Sequence, residues 1–166
     1  GVGSAFYLLA ATWLSTSKRI EFLLQVIQIG GIVIILWSFV QAYFWYTQKG
    51  YPAWMFAVQS HLTSNGRLFE QRVTGLAFEP SWLAHQLNLL YLPLWLAATL
   101  KRWSAFRFRI VGLSIENLCL LGGGAVLFLS FSRVGWLAFL CALAYVILRA
   151  NLALIRWLRD QLQKRL

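Results

Sequence analysis

The sequence predicts an all-α, polytopic membrane protein, and three observations carry that expectation. Sixty per cent of the 166 residues are apolar, with nine Trp and a mean hydropathy of +0.64. Only 12% are charged, far fewer than the surface of a soluble domain of this length needs. The apolar residues fall in runs of membrane-crossing length, and short basic clusters separate the runs. Net charge is +10, from 15 basic and 5 acidic residues. In a soluble chain that excess would suggest a nucleic-acid partner. Its placement between apolar runs assigns it to the membrane faces instead, and no nucleic acid is expected.

The chain has no initiator Met, and its opening, GVGSAFYLLAATWL, lacks the basic n-region and cleavage site of a signal peptide. The expectation is a single transmembrane domain over 1–166, excerpted from a longer polytopic protein. Ala5 to Trp13 reads as the end of a truncated first span that reaches the interface at Lys18-Arg19. Ile20 to Thr47 is longer than the ~20 residues needed to cross the hydrocarbon. Its last third is aromatic (Trp37, Phe39, Tyr43, Phe44, Trp45, Tyr46), which marks the far interface.

Gln48 to Pro80 is an outer loop with Gly50, Pro52, Asn65 and Gly66, and within it Trp54 to Leu62 suits a short interfacial helix. Ser81 to Leu100 spans again, and KRWSAFRFR at 101–109 is a basic turn. Ile110 to Ser130 spans outward, Phe131 to Arg133 turns tightly and Val134 to Leu148 returns, giving about five transmembrane helices. In the tail, Leu152, Ile155, Leu158 and Leu162 recur at helical spacing against Arg156, Arg159, Lys164 and Arg165. That pattern predicts a cytoplasmic amphipathic C-terminal helix lying on an anionic membrane surface. Cys119 and Cys141 lie within apolar runs and read as small buried hydrophobes. No Cys/His cluster has metal-ligand spacing, so no metal and no cofactor are expected.

Counting bases gives the orientation. Lys18, Arg19, Lys101, Arg102, Arg107, Arg109, Arg149, Arg156, Arg159, Lys164 and Arg165 share one side, against Lys49, Arg67, Arg72 and Arg133 on the other. The richer side is cytoplasmic. The outer face then gathers Glu70 to Asn88 (EQRVTGLAFEPSWLAHQLN) and Ser130 to Trp136 (SFSRVGW), where charge interrupts apolar sequence. Arg133 reads either as an interfacial residue paired with Glu79 or snorkelling, or as a functional cation. Ser81, His85 and Asn88, at i, i+4 and i+7, form a polar stripe expected to turn away from lipid. Its bland reading is interhelical hydrogen bonding, and Gln25, Gln28, Glu116 and Asn117 read the same way, as packing glue. Gly30-Gly31 and Gly122 to Gly124 suit close helix approach. Pro80 suits a first helical turn, which puts a helix N-terminus beside Arg72 and Arg133, a combination that attracts anions.

ArgValThrGly, an aromatic, then GluProSer running into a striped helix, followed two helices later by PheSerArgValGlyTrp, resembles the O-antigen ligase and O-antigen polymerase superfamily of bacterial envelope glycosyltransferases. The resemblance takes in Gly30-Gly31 and Gln41 and so covers nearly the whole chain. It implies an enzyme of the bacterial inner membrane whose active face is periplasmic. Such enzymes move a glycan from undecaprenyl pyrophosphate to an acceptor glycan or lipid, without nucleotide sugar or metal, in O-antigen, lipopolysaccharide or exopolysaccharide biosynthesis. Carried over residue by residue, it gives Arg72 and Arg133 as pyrophosphate ligands and Glu79 as an acceptor-binding or assisting base. Gly75, Ser81, His85 and Ser132 fall in the same motifs as supporting residues. Many members have Asn-Pro-Asn where this chain has Glu79, Pro80 and Ser81. The ligases place a catalytic His in a large later periplasmic loop, so this excerpt is expected to be inactive alone. A membrane transporter would place its site near mid-membrane within inverted repeats, and no repeat is found. A non-catalytic membrane scaffold would make Arg133 a plain structural pair.

Overall fold

The structure is a computed structural model that describes residues 12–14, 16–63, 66–106, 109–110 and 112–163. Most of the anticipated first span, Ala5 to Trp13, lies outside the described residues. The chain is mostly helical: α1 (Ser17–Gln48), α2 (Ala53–Leu62), α3 (Pro80–Gln86), α4 (Leu92–Leu100), α5 (Ile115–Leu129) and α6 (Arg133–Gln163). Among the described residues two helical stretches, Ser17–Gln48 and Arg133–Arg156, are long and apolar enough to cross a membrane.

α3 and α4 are two parts of one rod. They join through a π-helical turn, Leu87–Tyr91, whose flanking residues keep right-handed helical dihedrals. Pro93 explains the turn. Its ring has no N–H and would press on the carbonyl four residues back, and widening the preceding turn relieves that contact. The Leu92 N–H accordingly reaches back to the Leu87 carbonyl, five residues away.

The rod packs on α5 and meets α1 through Trp95, which is fully buried. A Cβ built at Gly31 or Gly123 would overlap the Trp95 ring, so both glycines are there to admit it. The indole N–H donates to Gln28 Oε1 at 2.7 Å, and the Gln28 amide donates to Cys119 Sγ at 3.1 Å. One buried amide thus links α1, α4 and α5. Tyr91 stacks on Trp95, with ring centroids 5.3 Å apart.

Three elements differ from the sequence expectation. Residues 109–114 do not start a span: Arg109–Ile110 and Leu113–Ser114 pair as a tiny antiparallel hairpin, with Gly112 at φ +79 in its turn. α5 starts only at Ile115, because Ser114 is an N-cap whose hydroxyl accepts from the Asn117 N–H at 3.3 Å. The C-terminal amphipathic segment is not a separate helix, since α6 runs unbroken from Arg133 to Gln163. No Gly or Pro after Gly135 interrupts it. Cys141 is exposed rather than buried, as is every residue of 141–149, because α6 leaves the bundle after Phe139.

Candidate functional site

The loop between α2 and α3 is held by side-chain amides. Gln41 of α1 and Gln59 of α2 are both buried. Gln41 Oε1 accepts the backbone N–H groups of Thr74 at 2.9 Å and Gly75 at 3.0 Å. Its Nε2 donates to Thr74 Oγ1 and to the Gly75 carbonyl, each at 3.3 Å. Trp37 Nε1 donates to Gln59 Oε1 at 3.0 Å, and Gln59 Nε2 reaches the Gly75 carbonyl at 3.4 Å. Irregular backbone thereby enters the bundle with its polar groups satisfied. Gly75 sits at φ +55 with Ser38, Leu83 and Ile34 close to where a Cβ would project, so this position requires glycine.

From that anchor the chain places Arg72. Phe69 and Arg72 pair across a tight turn of Glu70 and Gln71, with Gln71 at φ +58. Tyr51 secures the turn, donating its phenol to the Phe69 carbonyl at 2.8 Å. Burial, together with Tyr46 and Glu70 nearby, pushes the Tyr51 pKa up to about 12. The Val73 N–H then donates to the Leu129 carbonyl at 3.2 Å. Arg72 Nε donates to the Ser130 carbonyl at 3.1 Å and Nη2 to the Phe131 carbonyl at 3.3 Å. Arg72 therefore grips the C-terminal end of α5, where orphan carbonyls and the negative end of the helix dipole favour a cation. Two of its five N–H donors are used in this way.

The SFSRVGW segment is accounted for almost residue by residue. The Ser130 hydroxyl donates to the Leu127 carbonyl at 2.7 Å, and Phe131 turns the chain at φ +47. Buried Ser132 caps α6 by accepting from the Gly135 N–H at 3.2 Å. Gly135 lets α6 approach α3, for a Cβ there would overlap Ala84. Trp136 Nε1 donates to the Leu127 carbonyl at 3.0 Å. Arg133 is the remaining polar side chain. It is exposed at the first position of α6 and has no hydrogen-bond or ion-pair partner among the described residues.

The other sequence-derived candidates divide. Glu79 is half-buried and accepts from the Ser81 hydroxyl at 3.3 Å, and no ion pair joins it to Arg133. Asn88 lies in the π turn and donates to the Gly135 carbonyl at 2.9 Å, tying the rod to α6. His85 is exposed and does not take part in that contact, so the stripe splits between an interhelical bond and an outward imidazole. The structure brings Arg72, Ser132 and Arg133 to one turn, while Glu79 and Ser81 begin the neighbouring rod. Gln59 carries as much of the loop's support as any of these, and the sequence reading passed over it. The available signal was a Gln inside the apolar helix Trp54 to Leu62.

Between the rod, α5 and α6 lies a cavity of about 370 Å³, lined by Asn88 and otherwise by apolar residues including Leu92, Leu96, Leu120, Phe139 and Leu143. No group of His, Cys, Asp and Glu able to hold a metal ion occurs among the described residues. No family model matches the chain, and no match was found among the curated proteins or the solved structures.

Proposed function

We propose that this chain belongs to a polytopic inner-membrane glycosyltransferase, of about five spans, resembling the O-antigen ligases and polymerases. It transfers or polymerises a glycan from undecaprenyl pyrophosphate onto an acceptor sugar at the periplasmic face. The observation that carries this reading is Arg133: a guanidinium without a partner among the described residues, at the N-terminus of a long helix, beside a second arginine already fixed in place. A pyrophosphate leaving group gains negative charge as the glycosidic bond breaks, and a helix N-terminus with forked guanidinium donors suits that charge. Arg72 contributes its unused donors and also fixes the turn from which Arg133 projects. The apolar cavity beside the π turn suits a polyprenyl chain. The 80–100 rod, ~31 Å at 1.5 Å per residue, is long enough to cross the hydrocarbon. Glu79 lies at the start of that rod as acceptor-binding or assisting base, with Ser81 bonded to it.

One observation favours the rival reading, a non-catalytic scaffold: Arg72 spends two donors on carbonyl groups, a purely structural use. The test is made on the full-length protein, by transfer from a lipid-linked donor in membranes together with protein accumulation. Arg133→Lys and Arg133→Ala should each lower transfer about a hundredfold or more, since a point-charge ammonium does not replace the planar fork. Accumulation should stay normal, and Arg67→Lys should be close to silent. Full activity in Arg133→Lys would overturn the pyrophosphate clamp and leave Arg133 a structural residue, whereas no transfer by the wild type would favour the scaffold.

A further inference from the structure

At the opposite end of the bundle from Arg133, a cavity of about 270 Å³ opens between the end of α4, the turn that follows it and the start of α5. Thr99, Arg102, Ser104, Gly112, Ser114 and Asn117 line it. Some of their hydrogen-bonding capacity is already used. The Thr99 hydroxyl donates to Asn117 Oδ1 at 2.7 Å, and the Ser104 hydroxyl donates to the Phe106 carbonyl at 2.6 Å. Ser114 accepts from the Asn117 N–H, which leaves its own hydroxyl proton available.

Three donor groups therefore remain without a partner among the described residues: the Asn117 side-chain NH2, the Ser114 hydroxyl and the Arg102 guanidinium. Arg102 is held at the cavity by its backbone. It follows the end of α4 at φ +52, and its N–H bonds the Thr99 carbonyl at 3.1 Å. Among the described residues no carboxylate lines the cavity. Glu116, the acid of the first turn of α5, is turned to the Ala105 N–H at 2.8 Å instead. The first turn of α5 adds the positive end of a 15-residue helix to the three donors.

We propose that this cavity binds a phosphate group, that of an anionic phospholipid headgroup on the basic side of the membrane. A guanidinium, an amide and a hydroxyl around one cavity are the donor set for a phosphate oxyanion. Basic pockets between helices on the cytoplasmic side are where such headgroups are recognised. Trp103, next to Arg102 and partly exposed, belongs to the class of residues that anchor at headgroup level. The site is independent of the proposed glycan transfer, because it lies at the other end of the bundle and shares no residue with Arg72 or Arg133.

The experiment uses the purified full-length protein, incubated in detergent with phosphatidylglycerol, phosphatidylcholine or inorganic phosphate. Retained ligand is read by native mass spectrometry. Phosphatidylglycerol should be retained and phosphatidylcholine much less. Arg102→Gln should reduce retention roughly tenfold or more, the expected effect of losing one charge-assisted contact. Asn117→Asp keeps the oxygen that Thr99 bonds but replaces the donor with a carboxylate, so it should abolish retention while the melting temperature holds. Arg149→Gln, a basic residue on the same side but away from the cavity, should leave retention unchanged. Displacement of the lipid by inorganic phosphate in the wild type but not in the variants would support the same site with free phosphate as its ligand. Equal retention in wild type, Arg102→Gln and Asn117→Asp would overturn the proposal, and so would an equal loss in Arg149→Gln.

Discussion

The two ends of the bundle, outer at Arg72 and inner at Arg102 in the proposed orientation, solve one problem with different numbers of contacts. Each must hold irregular backbone against apolar helices, and each does so with buried or half-buried side-chain groups from α1 and a neighbouring element. At the outer end Gln41, Gln59 and Trp37 together engage Thr74 and Gly75 from several sides, and Arg72 takes up the carbonyls of the α5 terminus. At the inner end a single residue is clamped: Ala105 donates to Glu116 and accepts from Gln25 at 3.1 Å. There one oxygen of Glu116 stays buried with no hydrogen-bond partner among the described residues. Both ends leave one buried oxygen without a hydrogen-bond partner among the described residues, Ser38 Oγ beside Gly75 and one oxygen of Glu116, so the difference lies in how many groups converge: the Arg72 turn is held from several sides and carries Arg133, whereas the opposite turn is held at Ala105.

The largest break should come from Gln41→Leu. It strands the N–H groups of Thr74 and Gly75 inside the bundle, and each unmatched buried donor costs about 1–3 kcal/mol. Thermal unfolding in detergent and protease cleavage of the 63–72 loop should both show it. Gln59→Leu should cost less, because Gln41 still serves both N–H groups. If the two variants were equally stable, the cradle described above would be wrong. Next in size is Gly123→Leu, which forces a side chain into the space of the Trp95 ring; overpacking of this kind costs ~1–3 kcal/mol. Pairing it with Trp95→Ala should recover part of the loss, a coupling that a double-mutant cycle measures directly.

How much of this was legible in the sequence depends on the range of the signal. Helix spans, the Phe131 to Arg133 turn, the close approach at Gly31 and Gly123 and the polar role of Gln28 follow from local composition and spacing. The hairpin at 109–114 was missed because Ile110 to Ser130 is almost uniformly apolar, and hydropathy cannot show where a cap such as Ser114 starts the helix. The continuity of α6 was missed for the opposite reason: a change from apolar to amphipathic pattern looks like a boundary, although nothing in 136–163 breaks the backbone. At the candidate site, Arg72 and Arg133 were legible as out-of-place charges. That Arg72 grips the α5 carbonyls was not, since its partners lie 58 and 59 residues away and are backbone atoms that carry no sequence signature.

The inner end offers a smaller test of the same contrast. Glu116→Leu removes the acceptor of the Ala105 N–H and should cost about 1–3 kcal/mol. Glu116→Gln keeps an acceptor and removes a carboxylate that has one unmatched oxygen, so it should stay within ~1 kcal/mol of wild type. Chemical denaturation of the three proteins in one detergent measures this. A loss in Glu116→Gln as large as in Glu116→Leu would mean that the unmatched oxygen has a partner and that the two ends are more alike than described.

The smallest effect belongs to Tyr51, and it bears on how tightly the outer end is closed. Burial first, then Tyr46 and Glu70, raise the Tyr51 pKa in the folded protein from 10.0 to about 12. A raised folded pKa means that the unfolded chain releases this proton first as pH rises, so the contribution to stability is complete below pH ~10 and is lost between there and about 12. The phenol also donates to the Phe69 carbonyl, so its ionisation removes the bond that secures the Glu70-Gln71 turn. Cleavage of the 63–72 loop by an alkali-stable protease should therefore rise across that window in the wild type. Tyr51→Phe should start from a higher cleavage rate, because the bond is already gone, and its rate should change little over the same range. Glu70→Gln should move the wild-type rise to lower pH, since the carboxylate contributes to holding the proton on Tyr51. Absorbance of tyrosinate, wild type minus Tyr51→Phe, follows the titration itself. A Tyr51 that ionises near pH 10 with the loop still protected would show that the turn is secured by the Arg72 and Val73 contacts alone.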